Sequence, residues 1–402
     1  MQVEMRRAPR AECTRAPAEP ISCPDRQQRT VQSQLSPTTH LSLMSLPSVQ
    51  KALVAEKAGH LRLAEDAPVK LPGPGNVLVR IEAVALNPVD VKMCDFLPCP
   101  GARCGSDYAG TVVAAGDDLL KELRVGDRVC GFVFGQNPNE PEAGAFAEYV
   151  EINAGLAIRI PDYMSFEDAA TLGVGIATAG LSLFIPDGDS LGLPTPLEPS
   201  PANNKHILVC GGATASGRLA IQLIKLANLT PIATCSPKNF DQVKAVGAAR
   251  VFDYNSPTCA KEIRRATVSR LSAALDCISR TSTMKTCYEA IGPAGGRYVS
   301  LDPAPARIAA TRPRDIRTYA VLAFEALGKE VNLPEPFTRE AQPEKYEFSV
   351  KWLEQVEELL RQQKLSTPPV LLQEGGLGAI PQGLNLIRTG KVSNQKVVYR
   401  VQ

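Results

Sequence analysis

The sequence has no apolar run near the roughly 18 residues that a membrane-crossing helix needs, so it offers no membrane span. It also lacks a charge bias. The formal net charge is +2, and residues 1–43 account for it, with six arginines against Glu4, Glu12, Glu19 and Asp25. The other 38 basic and 38 acidic residues cancel, which argues against nucleic acid as the main partner. Histidine is scarce: there are three, His40, His60 and His206, in separate parts of the chain. The eleven cysteines make no structural zinc pattern either, because Cys94, Cys99 and Cys104 are spaced by five. Eleven is an odd number, and Cys210, Cys235 and Cys277 lie inside apolar strand-like runs. Buried, reduced thiols in a cytoplasmic setting fit this better than a disulfide framework.

What is present reads as an ordinary globular protein. A chain of 402 residues with 44% hydrophobic and 21% charged residues has the length for two or three domains. Residues 1–43, rich in Arg, Pro, Ser, Thr and Gln, are expected to be disordered. A transit peptide is disfavoured by the four acids, and translation starting at Met44 is the plainer expectation. Residues 44–172 carry short alternating strands with Gly/Pro turns, such as Val77–Val84, and a helical stretch is expected over residues 165–184. The five prolines between Pro186 and Asn204 predict a solvent-exposed loop. From His206 to about residue 330, strands alternate with helices, which predicts a parallel sheet covered by helices. Residues 331–402 are expected to return to the first domain.

Chemistry is concentrated in a few segments. After the strand Ile207–Cys210 comes Gly211-Gly212-Ala213-Thr214-Ala215-Ser216-Gly217, leading into a helix. Glycines admit a pyrophosphate close to the backbone, and a helix N-terminus supplies N–H donors. The spacing departs from G-x-G-x-x-G, so by itself the turn also reads as a plain strand-to-helix connection. An NAD site needs a carboxylate about 20 residues on. Here the second strand ends in Cys235-Ser236-Pro237-Lys238-Asn239. A hydroxyl and an ammonium suit a 2′-phosphate, which predicts NADPH. Lys238 reads alternatively as a solvated lysine, and Tyr254 either stacks on adenine or packs on the surface.

Hydride transfer needs positioning and a stabiliser for developing negative charge. Without a metal, reduction of a conjugated C=C bond or of a quinone is favoured. Asn87-Pro88-Val89-Asp90-Val91-Lys92 reads as a strand end with a turn. Lys92 is the candidate to polarise an oxygen or donate a proton, against the reading of a solvated lysine. Asn87 and Asp90 read equally as turn formers. Within Gly173–Leu181, Thr178 could bond a substrate carbonyl or simply its own helix.

The run Gly105-Ser106-Asp107-Tyr108-Ala109-Gly110 to Gly116, with Val125–Val129 and Gly144–Tyr149, resembles the substrate-side domain of medium-chain dehydrogenase/reductases. The zinc-dependent branch would need a Cys, His and acidic set near residues 94–107, which is not there. The resemblance implies a GroES-like β-rich domain beside a Rossmann doubly wound parallel-sheet domain, as in quinone oxidoreductases. Further segments sharpen it: Asn87–Met93, Gly211–Ser216, Ala233–Asp241, Val251–Tyr254, Ala274–Ile278, Ala294–Leu301 and Arg388–Ser393. Together they resemble the stand-alone, trans-acting enoyl reductases of fungal polyketide synthases. That family reduces α,β-unsaturated thioesters held on the acyl carrier protein of a partner synthase or synthase–peptide synthetase hybrid, and a monomer would suit it. Carried over, the cofactor would touch Val89-Asp90-Val91-Lys92, Ala213-Thr214-Ala215-Ser216, Ser236-Pro237-Lys238-Asn239, Tyr254, Ile291-Gly292 and Ser393-Asn394. The polyketide would lie along Thr178-Ala179-Gly180-Leu181-Ser182-Leu183-Phe184 and Ala323-Phe324-Glu325-Ala326-Leu327, where Glu325 fits an apolar pocket only if it points outward. Two basic clusters, Lys261/Arg264/Arg265/Arg270 and Arg307/Arg312/Arg314/Arg317, are candidate carrier-docking faces or plain solvated surface. A small-molecule quinone or enone reductase, and a non-enzymatic NADPH-binding partner protein, remain the competing readings.

Overall fold

The structure is a computed structural model that describes residues 46–186, 188–199, 201 and 205–401. The segment 1–43 lies outside the described residues. In the first part of the chain come β1 (Val49–Lys57), β2 (His60–Pro68), β3 (Asn76–Ala85), α1 (Pro88–Phe96), β4 (Asp107–Ala115), β5 (Arg128–Phe132), β6 (Tyr149–Asn153) and β7 (Ile158–Arg159). The helices α2 (Phe166–Ala170) and α3 (Gly173–Leu183) follow. The alternating part holds β8 (His206–Cys210), α4 (Ala215–Leu226), β9 (Thr230–Cys235), α5 (Phe240–Ala245), β10 (Arg250–Asp253), α6 (Cys259–Ala266), β11 (Ala273–Asp276), α7 (Thr281–Ala290), β12 (Gly296–Ser300), α8 (Ala306–Ala309) and β13 (Ile316–Ala320). The chain ends with α9 (Pro343–Arg361), β14 (Val370–Gln373), α10 (Gly376–Arg388) and β15 (Lys396–Arg400).

Six strands form a parallel sheet in the order β10-β9-β8-β11-β12-β13, the Rossmann doubly wound order. Its topological switch lies between β8 and β11, where Cys277 N–H bonds to the Cys210 carbonyl at 2.9 Å. Ligands bind such sheets outside the C-terminal ends of the strands at that switch. The second large sheet is mainly antiparallel, in the order β14-β15-β3-β4-β5-β7 with β6 on β3. The C-terminal strand β15 enters it by pairing Val398 with Ala85, so the last part of the chain builds the GroES-like side.

Helix α3 joins the two halves and is buried along its whole length, as a helix that is apolar all round must be. The single tryptophan, Trp352 of α9, donates to the Ile176 carbonyl at 2.9 Å and packs at a tilt against Phe184, with ring centroids 4.9 Å apart. The proline-rich insert is not simply a solvent-exposed loop. Leu191 and Leu193 are buried, and their N–H groups bond to the Ser182 and Leu183 carbonyls at 2.9 and 2.8 Å. Two leucines at alternate positions let that stretch lie along the end of α3 despite the prolines.

Candidate active site

The segment after β3 is a helix start, where the sequence suggests a turn. Pro88 is pre-set for the first helical position, and the Asp90 carboxylate accepts the Asn87 N–H at 2.7 Å. Freed from capping, the Asn87 side-chain amide donates to Asp107 at 2.9 Å. Asp107, at the start of β4, also accepts the Val174 N–H of α3 at 2.6 Å and the Lys396 ammonium of β15. Ser106 donates to Asp90 at 2.8 Å. Four elements, α1, β4, α3 and β15, therefore meet on one buried polar cluster, with Asp107 and Lys396 0% and 3% exposed in relative area. Burial is the main cause that pushes the Asp90 carboxyl up to about 7, with the Asp107 charge adding to it.

One turn further along α1, Lys92 leaves the cluster and crosses to the other half of the molecule. Its ammonium sits 2.6 Å from a carboxylate oxygen of Asp302, just past the C-terminal end of β12. Both side chains are partly exposed, so the pair stands in the mouth of the cleft. Val89 and Val91 turn into apolar clusters, leaving Lys92 as the residue of this segment that offers charge to a bound molecule.

The glycine turn lies at the C-terminal end of β8. Gly211 has φ +83°, and a Cβ on Gly217 would lie 2.3 Å from the Gly211 carbonyl oxygen, so the sharp entry to α4 requires both glycines. Thr214 caps α4 by accepting the Gly217 N–H at 3.0 Å. Intrahelical bonds cannot satisfy the Ala215 and Ser216 amides, which aim at the same edge. Ser236 and Lys238 follow β9 on that edge, and Asn239 bridges the Ser236 and Ser393 hydroxyls at 3.2 and 3.3 Å. Tyr254, after β10, is exposed there as well. The arrangement suits an anionic dinucleotide: free amides at a helix start, glycines that admit its backbone, and the exposed Lys238 ammonium after the strand end, where Asp253 of the neighbouring strand pairs with Cys235.

Three sets of residues stand elsewhere than the sequence suggests. Ile291 and Gly292 follow α7 at the N-terminal edge of the sheet, where Gly292 N–H bonds to the Leu271 carbonyl at 2.8 Å. That is the edge opposite the glycine turn, about 15 Å away across strands of this length, so they do not join the rest. Along α3, Ala179, Leu181, Leu183 and Phe184 are core residues, and Gly180 is closed by the Trp352 ring. Thr178 is 5% exposed, and the buried Ser182 hydroxyl has no hydrogen-bond partner. Finally, Glu325 does not point outward. It is 3% exposed, ion-paired with Lys345, and accepts the Tyr319 hydroxyl at 2.8 Å and the Leu322 N–H at 2.9 Å. The pair holds its segment so that Phe324 stacks on Phe134 at 4.0 Å and Leu327 walls a groove of about 840 Å3.

Four members of the basic clusters stand at the sheet edge away from the glycine turn. Arg270 precedes β11, Arg314 and Arg317 lie at the start of β13, and Arg312 is spent on the carbonyls of Tyr288, Ile291 and Gly292. Asp302, Arg218 and Lys396 are polar residues near the cleft that the sequence does not single out. None falls in a motif; only the end of an apolar strand and the start of a helix marked the first two.

Two family models match the chain: the alcohol dehydrogenase GroES-like domain over residues 73–162 and the zinc-binding dehydrogenase over 215–303. The trans-enoyl reductase caaB of Aspergillus niger is 48% identical over 359 residues, covering 89% of this chain and 98% of that protein. The chain belongs to the trans-enoyl reductases. The trans-enoyl reductase traG of Penicillium crustosum is 47% identical over 89% of this chain and 98% of its own length. Solved structures support the fold alone: CurK enoyl reductase has a TM-score of 0.69 at 19% identity, with 87% and 99% of the two chains covered. A Pseudomonas syringae quinone oxidoreductase gives 0.66 at 21%, with 88% and 100% covered. A trans-enoyl reductase of this fold is an oxidoreductase that uses a nicotinamide dinucleotide.

The zinc in one family description finds no suitable donors at the cleft floor. Zinc requires unprotonated, uncommitted ligands. Here Asp107 is already matched by Lys396, Asn87 and the Val174 N–H, while Asp90 is held near half-protonation at neutral pH by burial. These residues do not fit a catalytic zinc.

Proposed function

We propose that this trans-enoyl reductase reduces the Cα=Cβ bond of an α,β-unsaturated acyl thioester, with NADPH as donor and a polyketide synthase's acyl carrier protein presenting the substrate. The observation that carries the reading is the placement of Lys92. It is a cation in the mouth of the cleft, joined to the far half by Asp302 and adjacent to the edge where the glycine turn, Ser236 and Lys238 converge. A bound dinucleotide would supply a hydride to the β-carbon, and a proton from solvent would complete the α-carbon as the enolate collapses. As the π-electron pair moves toward the carbonyl, negative charge collects on the thioester oxygen, and the Lys92 ammonium donates a hydrogen bond to it. Asp302 holds that ammonium in the cleft. Ser236 and Lys238 accept the 2′-phosphate, which a carboxylate at that strand end would repel. The relatives are named trans-enoyl reductases, which supports action in trans on a substrate that a partner protein presents.

The reaction leaves a label. With NADPH carrying deuterium at both C4 positions of the nicotinamide and a crotonyl-type thioester, mass spectrometry of the saturated product should find one deuterium on the β-carbon. A saturated product without carbon-bound label, or no saturated product, would refute the assignment.

A further inference from the structure

Arg218 is the fourth residue of α4, one turn beyond the glycine turn, and its environment is unusual for an arginine. It is 8% exposed. One guanidinium nitrogen donates to the Asn394 side-chain oxygen at 3.0 Å, while Nε is buried without a hydrogen-bond partner. Burial pulls the guanidinium's pKa down, and no neighbouring carboxylate pushes it back. A buried cation without a counter-ion is costly, and arginine cannot escape by losing its proton.

The surroundings point to what offsets that cost. Asn394, in a left-handed turn at φ +56°, bonds back to Gln242 of α5, and its neighbour Ser393 is tied to Asn239 and through it to Ser236. The loop before β15 thus lies across the starts of α4 and α5 and aims the guanidinium at the edge where α4 leaves two amides unpaired. Those amides carry only partial charge, and Lys238 is exposed. Arg218 is the buried full charge at this edge, and its planar fork matches a phosphate.

We propose that Arg218 is a phosphate ligand of the dinucleotide, an inference that rests on the dinucleotide reading of this site. It satisfies the orphaned Nε, explains the tie to Asn394, and gives the glycine turn the cation that its sequence does not contain.

The test compares full-length wild type, Arg218→Met and Arg218→Lys by two readouts: dissociation constants for NADPH and NADH from cofactor fluorescence, and the melting temperature without ligand. Arg218→Met should bind NADPH about tenfold more weakly or worse, the loss expected for a charge-assisted hydrogen bond. Its ligand-free melting temperature should hold or rise, because an uncompensated buried charge has gone. Arg218→Lys, with the charge but no fork, should fall between. Weakening of NADPH alone assigns the 2′-phosphate, and equal weakening of both assigns the pyrophosphate. Wild-type affinity for both dinucleotides in Arg218→Met would overturn the proposal. If Arg218→Met does not fold, a folded Arg218→Lys with wild-type affinity overturns it, and one with several-fold weaker NADPH binding upholds it. Failure of wild type itself to bind either dinucleotide would instead refute the cofactor reading.

Discussion

Replacing Lys92 with methionine separates a catalytic ammonium from a structural latch, because the two roles predict effects of very different size. Lys92 and Asp302 side chains are 39% and 27% exposed. A pair that accessible is screened by water, and its loss should cost about 0.2–1 kcal/mol of stability. At roughly 2–4 °C per kcal/mol, the melting temperature should fall by no more than a few degrees. A group that stabilises charge on the reacting oxygen is worth about 10²–10⁴ in rate, or roughly 3–5 kcal/mol of barrier at 1.36 kcal/mol per decade. Lys92→Met should therefore retain its fold and NADPH binding while kcat on a crotonyl-type thioester falls at least a hundredfold. Stopped-flow loss of NADPH absorbance under saturating cofactor reads this directly. A kcat within threefold of wild type, or a rate loss matched by loss of the fold, would refute the role given to Lys92.

Three other outcomes follow from the same structure. Lys238→Glu should weaken NADPH binding about tenfold or more while sparing NADH, read as the ratio of dissociation constants, since a carboxylate there repels a 2′-phosphate. Asp90, held near 7 by burial, prefers its neutral form in the folded chain. Its contribution is therefore complete below about pH 4 and is lost as pH rises through 7, by at most roughly 4 kcal/mol. Urea unfolding from pH 5 to 8 should show this slope in wild type and lose it in Asp90→Asn, which mimics the neutral group. Lys345→Met leaves the buried Glu325 carboxylate with Arg339, 3.5 Å away, as a remaining cation and should cost no more than about 3–5 kcal/mol, visible by calorimetry as a melting temperature lower by several degrees.

Local signals carried most of the fold. The run from Ile207 through Gly217 encodes strand, turn and helix within a dozen residues, and the Rossmann side is built around it. Alternation in Val77–Val84 likewise marked a strand of the GroES-like side. What escaped depends on partners distant in sequence. Asp107 and Lys396 are 289 residues apart and Lys92 and Asp302 are 210 apart, so nothing near either residue announces the pair. Glu325 looked misplaced in an apolar segment because Lys345, Tyr319 and Arg339, which neutralise and bond it, lie on other elements. Arg218 stands in no motif, and its hydrogen-bond partner Asn394 is 176 residues away. The helix α1 was misread for a local reason: Asn-Pro opens turns as readily as it opens helices, and Asp90 decides between them.

The most direct test of the account is NADPH consumption by the full-length chain with an α,β-unsaturated acyl thioester, beside a simple quinone, each repeated with NADH. The structure predicts turnover of the thioester with NADPH, much slower turnover with NADH, and little with the quinone. Turnover of the quinone without turnover of the thioester would contradict it.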